Sequence, residues 1–396
     1  MKIVLAYSGG LDTSVALQWL QESYSAEVIA FCANIGQVES LDGLKEKAEK
    51  LGASKVYVED LREEFISKYA FRALIANAAY EGKYLLAAPL SRYLISKRLV
   101  EIARAEGADA VAHGATGKGN DQVRFYASIT ALDPNLRIIT PLIEWDMKSR
   151  DEEINYAQKH GIDLSISSEQ PYSIDTNLWG TSIECGILDN LEIEPPEAVF
   201  QMTSSPSSAP EHSCEISIGF EEGIPVSVNN KLLSPTAIVS LLNSIGSEFG
   251  IGRIDIIENR LVGIKTRGVY ESPAGTILHT AHKELESLVM ERDLLHYKSQ
   301  VSKKYSEVIY DGLWFSSLKN ALDKFLDYTQ INVTGIIYLK LYKGNITVLS
   351  RNSDSKMYKD SLSTYGENDE FNHEAGLGFA YVWSMPLRIK ALTEQK

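Results

Sequence analysis

The chain has 396 residues, 44% of them hydrophobic, and 39 Lys and Arg against 53 Asp and Glu give a net charge of −14. That balance excludes a broad nucleic-acid footprint, because phosphate backbones are held by clustered cations. Cys32, Cys185 and Cys214 show no CxxC spacing, which excludes a disulfide framework and a structural zinc site.

Ile3-Val4-Leu5-Ala6 reads as a buried strand, followed after Gly9-Gly10 by a helix whose stripe is Val15, Ala16, Trp19 and Leu20. Val28 to Cys32 is a second strand, about Ser40 to Leu51 a second helix stopped at Gly52, and Lys55 to Val58 a third strand. Helical patterns over about Leu61–Asn77 and Leu90–Glu106 lead to a fourth strand, Asp109–His113. Strands and helices alternating in this way predict an α/β domain with a parallel sheet over residues 1–165. Beyond it the pattern is α+β. It has a turn-rich loop at 203–211, strands near Glu215–Phe220, Arg253–Ile257 and Leu261–Lys265, and helices near Pro235–Phe249 and Thr276–Lys298. A hairpin is expected from Gly335–Tyr342 to Ile346–Ser350. The end of the chain carries Phe371, Phe379, Tyr381 and Trp383 in a polar tail, a pattern that is either frayed or docked on a neighbour. Ile3–Tyr7 is too short for a signal-peptide core, and no apolar run reaches the ~18 residues of a membrane span, so an intracellular protein is expected.

The sharpest motif is Ala6-Tyr7-Ser8-Gly9-Gly10-Leu11-Asp12-Thr13-Ser14, between the first strand and the first helix. Two glycines let backbone N–H groups converge on an anion, the helix start faces the same point, and three hydroxyls add donors. It is neither a Walker A loop nor a dinucleotide fingerprint, since no Gly-Lys-Ser/Thr follows and no GxGxxG occurs. A second loop, His113-Gly114-Ala115-Thr116-Gly117-Lys118-Gly119-Asn120-Asp121-Gln122-Val123-Arg124-Phe125, follows the fourth strand. Ligands of open α/β sheets sit at such strand ends. Its polar set suits an amino acid, with Asp121 for an ammonium and Thr116, Asn120 or Arg124 for carboxylates.

The SGGLDTS loop resembles that of the N-type ATP pyrophosphatases (the PP-loop superfamily). Together with HGATGKGNDQVRF, Asn177–Glu184, Ile251–Arg260 and Thr266–Thr276, it is similar, in order along the whole chain, to the argininosuccinate synthase family. The resemblance implies an adenine nucleotide alpha hydrolase-like sheet domain at 1–165. It implies a synthetase domain that binds citrulline and aspartate at 166–362, and an oligomerisation segment at 363–396. It implies a carbon–nitrogen ligase in which the ureido oxygen of citrulline attacks the α-phosphate of ATP. Aspartate then displaces AMP in the penultimate step of arginine biosynthesis. Residues Ala6 to Ser14 with Ala33 and Gly114 would surround ATP, and Thr116, Asn120 and Asp121 would hold aspartate. Tyr84, Asn120, Arg124, Ser173, Ser182, Glu258 and Tyr270 would hold citrulline. No residue would act as a covalent or acid–base catalyst. The resemblance also implies Mg²⁺ carried by the nucleotide, a cytoplasmic homotetramer, and no nucleic-acid or membrane partner.

Read without the family, Ser173 is a turn serine, Glu258 a surface charge and Tyr270 a half-buried core aromatic. A catalytic-cysteine tRNA thiolase is disfavoured by the scattered cysteines and acidic charge, and a glutamine-dependent synthetase by the lack of an N-terminal cysteine. One stretch departs from the pattern. After Tyr84 many relatives read LLGTS, whereas Ala88 and Pro89 here replace the hydroxyl pair, and Tyr93 stands where Pro is common. A weakened hold on citrulline is the expectation.

Overall fold

The computed structural model describes residues 1–37, 41–162 and 172–395. The expected helix start at Ser40 and the domain boundary at 165/166 lie outside them. The chain forms two compact units, residues 1–355 and residues 356 onward.

In the first unit, β1 (Lys2–Ala6), α1 (Leu11–Tyr24), β2 (Glu27–Asn34), α2 (Leu44–Lys50) and β3 (Lys55–Asp60) alternate as the apolar runs predict. Then come α3 (Ala87–Glu106), β4 (Ala110–Ala112), α4 (Asn120–Leu132), β5 (Arg137–Ile139) and α5 (Arg150–Lys159). The strands make one parallel sheet in the order β3-β2-β1-β4-β5. Side chains of alternate strand residues point to opposite faces, so both faces are apolar. Ile3, Leu5, Val28 and Ala30 pack on α1 and α2 through Val15, Leu20, Leu44 and Ala48. Val4, Ile29, Phe31 and Val111 pack on the other side with Leu90 and Leu94 of α3, in a core that runs on into the rest of the unit. The helix expected at 61–77 is interrupted, since Phe65–Ala70 winds as a π-helix before Phe71–Ile75 resumes.

Two antiparallel sheets follow. β6 (Ser173–Asn177), β7 (Gly180–Glu184), β11 (Arg253–Asn259) and β12 (Lys265–Glu271) form one in the order β11-β12-β7-β6. The other, ordered β10-β9-β8-β13-β14, contains β8 (Cys214–Glu221), β9 (Ile224–Val228), β10 (Lys231–Leu232), β13 (Gly335–Tyr342) and β14 (Asn345–Asn352). Helices α6 (Pro235–Glu248), α7 (Pro273–Val289), α8 (Arg292–Tyr310) and α9 (Ser317–Gln330) complete the unit. The strand expected at 261–265 falls instead in the turn into β12, because Arg260 and Ile264 close the turn by a backbone hydrogen bond. The single helix expected over 276–298 is two, broken at Met290-Glu291 by extended backbone. The β13–β14 hairpin turns on Lys343-Gly344, both at positive φ, and so Asn345 already pairs with Tyr342.

In the second unit, Asn372 accepts from the Ala375 N–H and starts α10 (His373–Glu394), which contains Pro386 and has no buried residue.

Candidate functional site

The sheet order reverses at β1, whose neighbours β2 and β4 are reached by opposite crossovers. The loops leaving β1 and β4 therefore flank one crevice at the strand ends. In the first loop Gly9 takes φ +79°, and an added Cβ would stand 2.9 Å from the Leu44 side chain. Lys47 Nζ donates to the Gly9 carbonyl at 2.6 Å. Ser8 Oγ lies 3.0 Å from Thr13 Oγ1 and accepts from the Gly10 N–H, and the Tyr7 and Ser14 hydroxyls meet at 3.3 Å. Ala6, Tyr7, Ser8, Gly10, Thr13, Ala33 and Gly114 line a cavity of about 400 Å³, closed by Phe31, Ile35 and Phe125. Leu11 and Ser14 are buried behind the loop, in the core and on Tyr7 respectively, and Gly9 contributes its conformation rather than a wall.

An adjoining cavity of about 620 Å³ brings together Asp12, Thr116, Asn120, Asp121 and Arg124 with Tyr84, Ser173, Ser182, Glu258 and Tyr270. Residues as far apart in sequence as Asp12 and Tyr270 thus line one cavity. Tyr84 and Tyr270 stack at 3.9 Å, and the Tyr84 hydroxyl lies 3.3 Å from Ser182 Oγ. Glu258 is not a surface charge. It is 2% exposed and accepts from the hydroxyls of Tyr270 at 2.8 Å and Tyr310 at 2.9 Å. Asn120 in turn donates to Tyr310 at 2.7 Å and accepts from the Leu261 N–H, which ties the second loop to the β11–β12 turn.

Asp121 is the electrostatic centre. Burial opposes its ionisation, but the guanidinium groups of Arg92 and Arg124 outweigh that and hold its carboxyl well below the usual range. Arg92 Nε and Arg124 Nη1 each reach it at 2.8 Å, and Arg92 also donates to Asp175. Arg124 spends Nε on the Tyr310 carbonyl, and its buried Nη2 has no partner among the described residues. A buried guanidinium donor left open in a polar cavity suits a carboxylate. His113 accepts from the Ala115 N–H and stacks on Phe125. Burial pushes its imidazole down to about 4 against the pull of Asp121, so it stays neutral near pH 7.

Sequence reasoning gave no role to Arg92, Asp175, Tyr310, Glu184 or Arg260, all on the second cavity. Arg92 had a signal, a cation among the apolar residues Leu90, Tyr93 and Leu94. Tyr310 had none, for it reaches the cavity only because α8 ends there. Burial raises the Glu184 carboxyl, with Glu258 and Asp121 adding to the rise and Arg260, its ion-pair partner, opposing it.

A glycine-rich loop at a sheet reversal, opening on a cleft lined by buried charges and hydroxyls, defines the class: an α/β sheet domain of the nucleotide-binding type joined to an antiparallel-sheet domain. The family model for the arginosuccinate synthase N-terminal HUP domain matches residues 2–163, and that for the C-terminal domain matches residues 172–390. A curated argininosuccinate synthase of Rhodococcoides fascians is 53% identical over 394 residues, covering 99% of this chain and 100% of its own. Those of Carboxydothermus hydrogenoformans and a Thermoanaerobacter species are each 51% identical, covering 100% of this chain and 98% and 96% of theirs. The chain belongs to the argininosuccinate synthase family. These are carbon–nitrogen ligases that join citrulline and aspartate with ATP.

Proposed function

We propose that the two cavities divide the reaction, with ATP in the 400 Å³ cavity and the amino acids in its neighbour. The observation that carries this is continuity: both are lined by Ser8, Arg92, Gly114, Ala115, Asp121 and Asp175. A nucleotide whose β- and γ-phosphates rest on the Ser8–Ser14 loop has its α-phosphate at that shared wall. The citrulline ureido oxygen, held beside Tyr84 and Ser182, attacks the α-phosphorus as the bond to the bridging oxygen breaks and pyrophosphate leaves. The aspartate amine then attacks the activated ureido carbon, AMP departs with the oxygen, and the amine loses a proton to solvent.

Catalysis in this reading is positioning and charge stabilisation. The open Arg124 N–H takes a citrulline carboxylate, while Thr116 and Asn120 hold aspartate and Asp121 faces its ammonium. The turn that Gly9 sets leaves the Gly10 N–H and the Ser8 and Thr13 hydroxyls to hold the leaving pyrophosphate. Mg²⁺, when bound, neutralises phosphate charge. The donor set fits a cation carried by the nucleotide, since Asp12 is the one carboxylate on the loop and lines the cavity beside Ser8. The test is citrulline-dependent release of pyrophosphate from ATP, followed by aspartate-dependent argininosuccinate. Hydrolysis indifferent to both amino acids would overturn this reading.

The assembly we propose is a cytoplasmic homotetramer in which the C-terminal segment reaches a neighbouring subunit. α10 supports this, for Leu377, Phe379, Trp383 and Leu387 are each at least 65% exposed. Light scattering that returned a monomer would refute it. Among the described residues no helix is long and apolar enough to cross a membrane.

A further inference from the structure

A third cavity, of about 480 Å³, lies behind the proposed citrulline wall, between the start of α7, the Gly250–Ile254 segment and residues 79–85. Its lining includes His279, which is 5% exposed and has no hydrogen-bond partner on either ring nitrogen among the described residues. Thr276, one turn earlier on α7, lines the same cavity with a buried hydroxyl that is also unpartnered. Buried polar groups are nearly always satisfied, and an imidazole offers one donor and one acceptor. Burial, with Lys283, His282 and Lys298 adding to it, pushes the imidazole well below its ordinary range, so it is neutral and meets a ligand as a neutral group.

The charged residues that line the cavity are of one sign. Lys83 and Lys283 both line the cavity, and neither forms an ion pair among the described residues, whereas Arg253 is engaged by Glu197. Two exposed ammonium groups and a buried, unsatisfied neutral pair on one cavity select a molecule with an anionic end and a hydroxyl-bearing end. Inorganic phosphate alone fills too little of the space. The cavity is also mechanically close to the reaction. Lys83 and Leu85 line it, while Tyr84 between them lines the amino-acid cavity. His279 neighbours Trp179 at 6.3 Å, and the Trp179 indole N–H donates to the Leu85 carbonyl at 3.0 Å.

We propose that this cavity binds a small hydroxylated organic anion, its charge between Lys83 and Lys283 and its hydroxyl on His279 and Thr276, and that occupancy is transmitted to Tyr84. The second half rests on Tyr84 belonging to the citrulline site. The experiment titrates the full-length protein with 3-phosphoglycerate, with L-malate and with inorganic phosphate, following imidazole nitrogen resonances by NMR and citrulline KM by assay. One of the two hydroxy acids shifts a buried, non-titrating histidine resonance, and which one distinguishes a phosphate ester from a dicarboxylate. Its Kd weakens about tenfold in Lys83→Ala/Lys283→Ala, an exposed pair whose loss leaves the core intact. Saturation with it changes citrulline KM at least about twofold in the parent and not in that variant.

The site is overturned if none of the three probes moves a buried histidine, as expected for a buried pair satisfied by water, or if the double variant binds as tightly as the parent. An unchanged KM at saturation overturns the coupling to Tyr84. Binding that persists in a protein lacking citrulline-dependent chemistry would fault the ligase-site reading and not this one.

Discussion

Arg92 Nε and Asp121 Oδ2 lie 2.8 Å apart, a pair that locks the second turn of α3 to the first residues of α4. The same guanidinium reaches Asp175 on β6, so one side chain joins three elements around the wall shared by the two cavities. Lysine keeps the charge but cannot reach both carboxylates from a planar fork. Arg92→Lys is therefore expected to lower kcat/KM about a hundredfold, mostly in kcat, because a positioning group is lost beside developing charge. Steady-state kinetics with citrulline and aspartate varied separately check this. A change confined to the KM for ATP would count against it.

Ala88 lines the 620 Å³ cavity, and its N–H donates to the Tyr84 hydroxyl at 3.3 Å. A threonine here adds a hydroxyl on the wall proposed for citrulline without disturbing that bond. Pro89 sits in the first turn of α3, where a missing N–H costs nothing, so serine is tolerated there too. Ala88→Thr with Pro89→Ser is expected to lower citrulline KM about fivefold, the equivalent of about 1 kcal/mol from one new hydrogen bond. The KM for ATP stays unchanged, and an unaltered citrulline KM would sink the idea.

His113 is fully buried, and its pKa falls from 6.5 to about 4 on folding. Between those values an unfolded chain takes up a proton that the folded one refuses. The contribution to stability is thus complete above pH 6.5 and declines as pH falls toward 4, by about 3 kcal/mol at most. His113→Asn is expected to flatten the acid limb: its loss of unfolding free energy between pH 7 and pH 5 should be about 2 kcal/mol smaller than in the parent. Urea titrations at the two pH values measure the difference.

The parallel sheet and the glycine-rich loop that leaves its first strand were legible because they are local. Ile3 to Ala6 is a short continuous apolar run, and Gly9-Gly10 follows it directly. The breaks were not legible. Met290-Glu291 interrupts a helical pattern whose periodicity continues on either side, and the π-turn at Phe65–Ala70 depends on packing rather than composition. The same division holds for the cleft. Asp121 and Arg124 share one loop and one helix face, whereas Tyr310 and Asp175 join them only through the tertiary fold. Glu258 was the most misleading residue taken alone. A carboxylate at the end of an apolar strand is ordinarily exposed, and only the hydroxyls of Tyr270 and Tyr310 make its burial affordable.

Glu271, the neighbour of Tyr270 on β12, has no exposed surface and anchors the chain at 201–203. Its carboxylate accepts from the N–H groups of Gln201 at 2.6 Å, Met202 at 3.0 Å and Thr203 at 2.8 Å, and from the Thr203 hydroxyl at 2.6 Å. Arg253 then fastens the same loop through Thr203 Oγ1 and the Thr203 carbonyl. Glutamine keeps the shape but turns one acceptor into a donor, so an NH₂ group would face backbone N–H groups with no room for water. Two or more buried donors would be left open, each at about 1–3 kcal/mol. Glu271→Gln is therefore expected to lose about 3 kcal/mol of stability, with the urea midpoint falling and the m-value unchanged. Glu271→Asp retains the charge but is one methylene too short, and it should fall between the two. If Glu271→Gln unfolds within about 1 kcal/mol of the parent, the loop is held by the Arg253 contacts and not by this carboxylate.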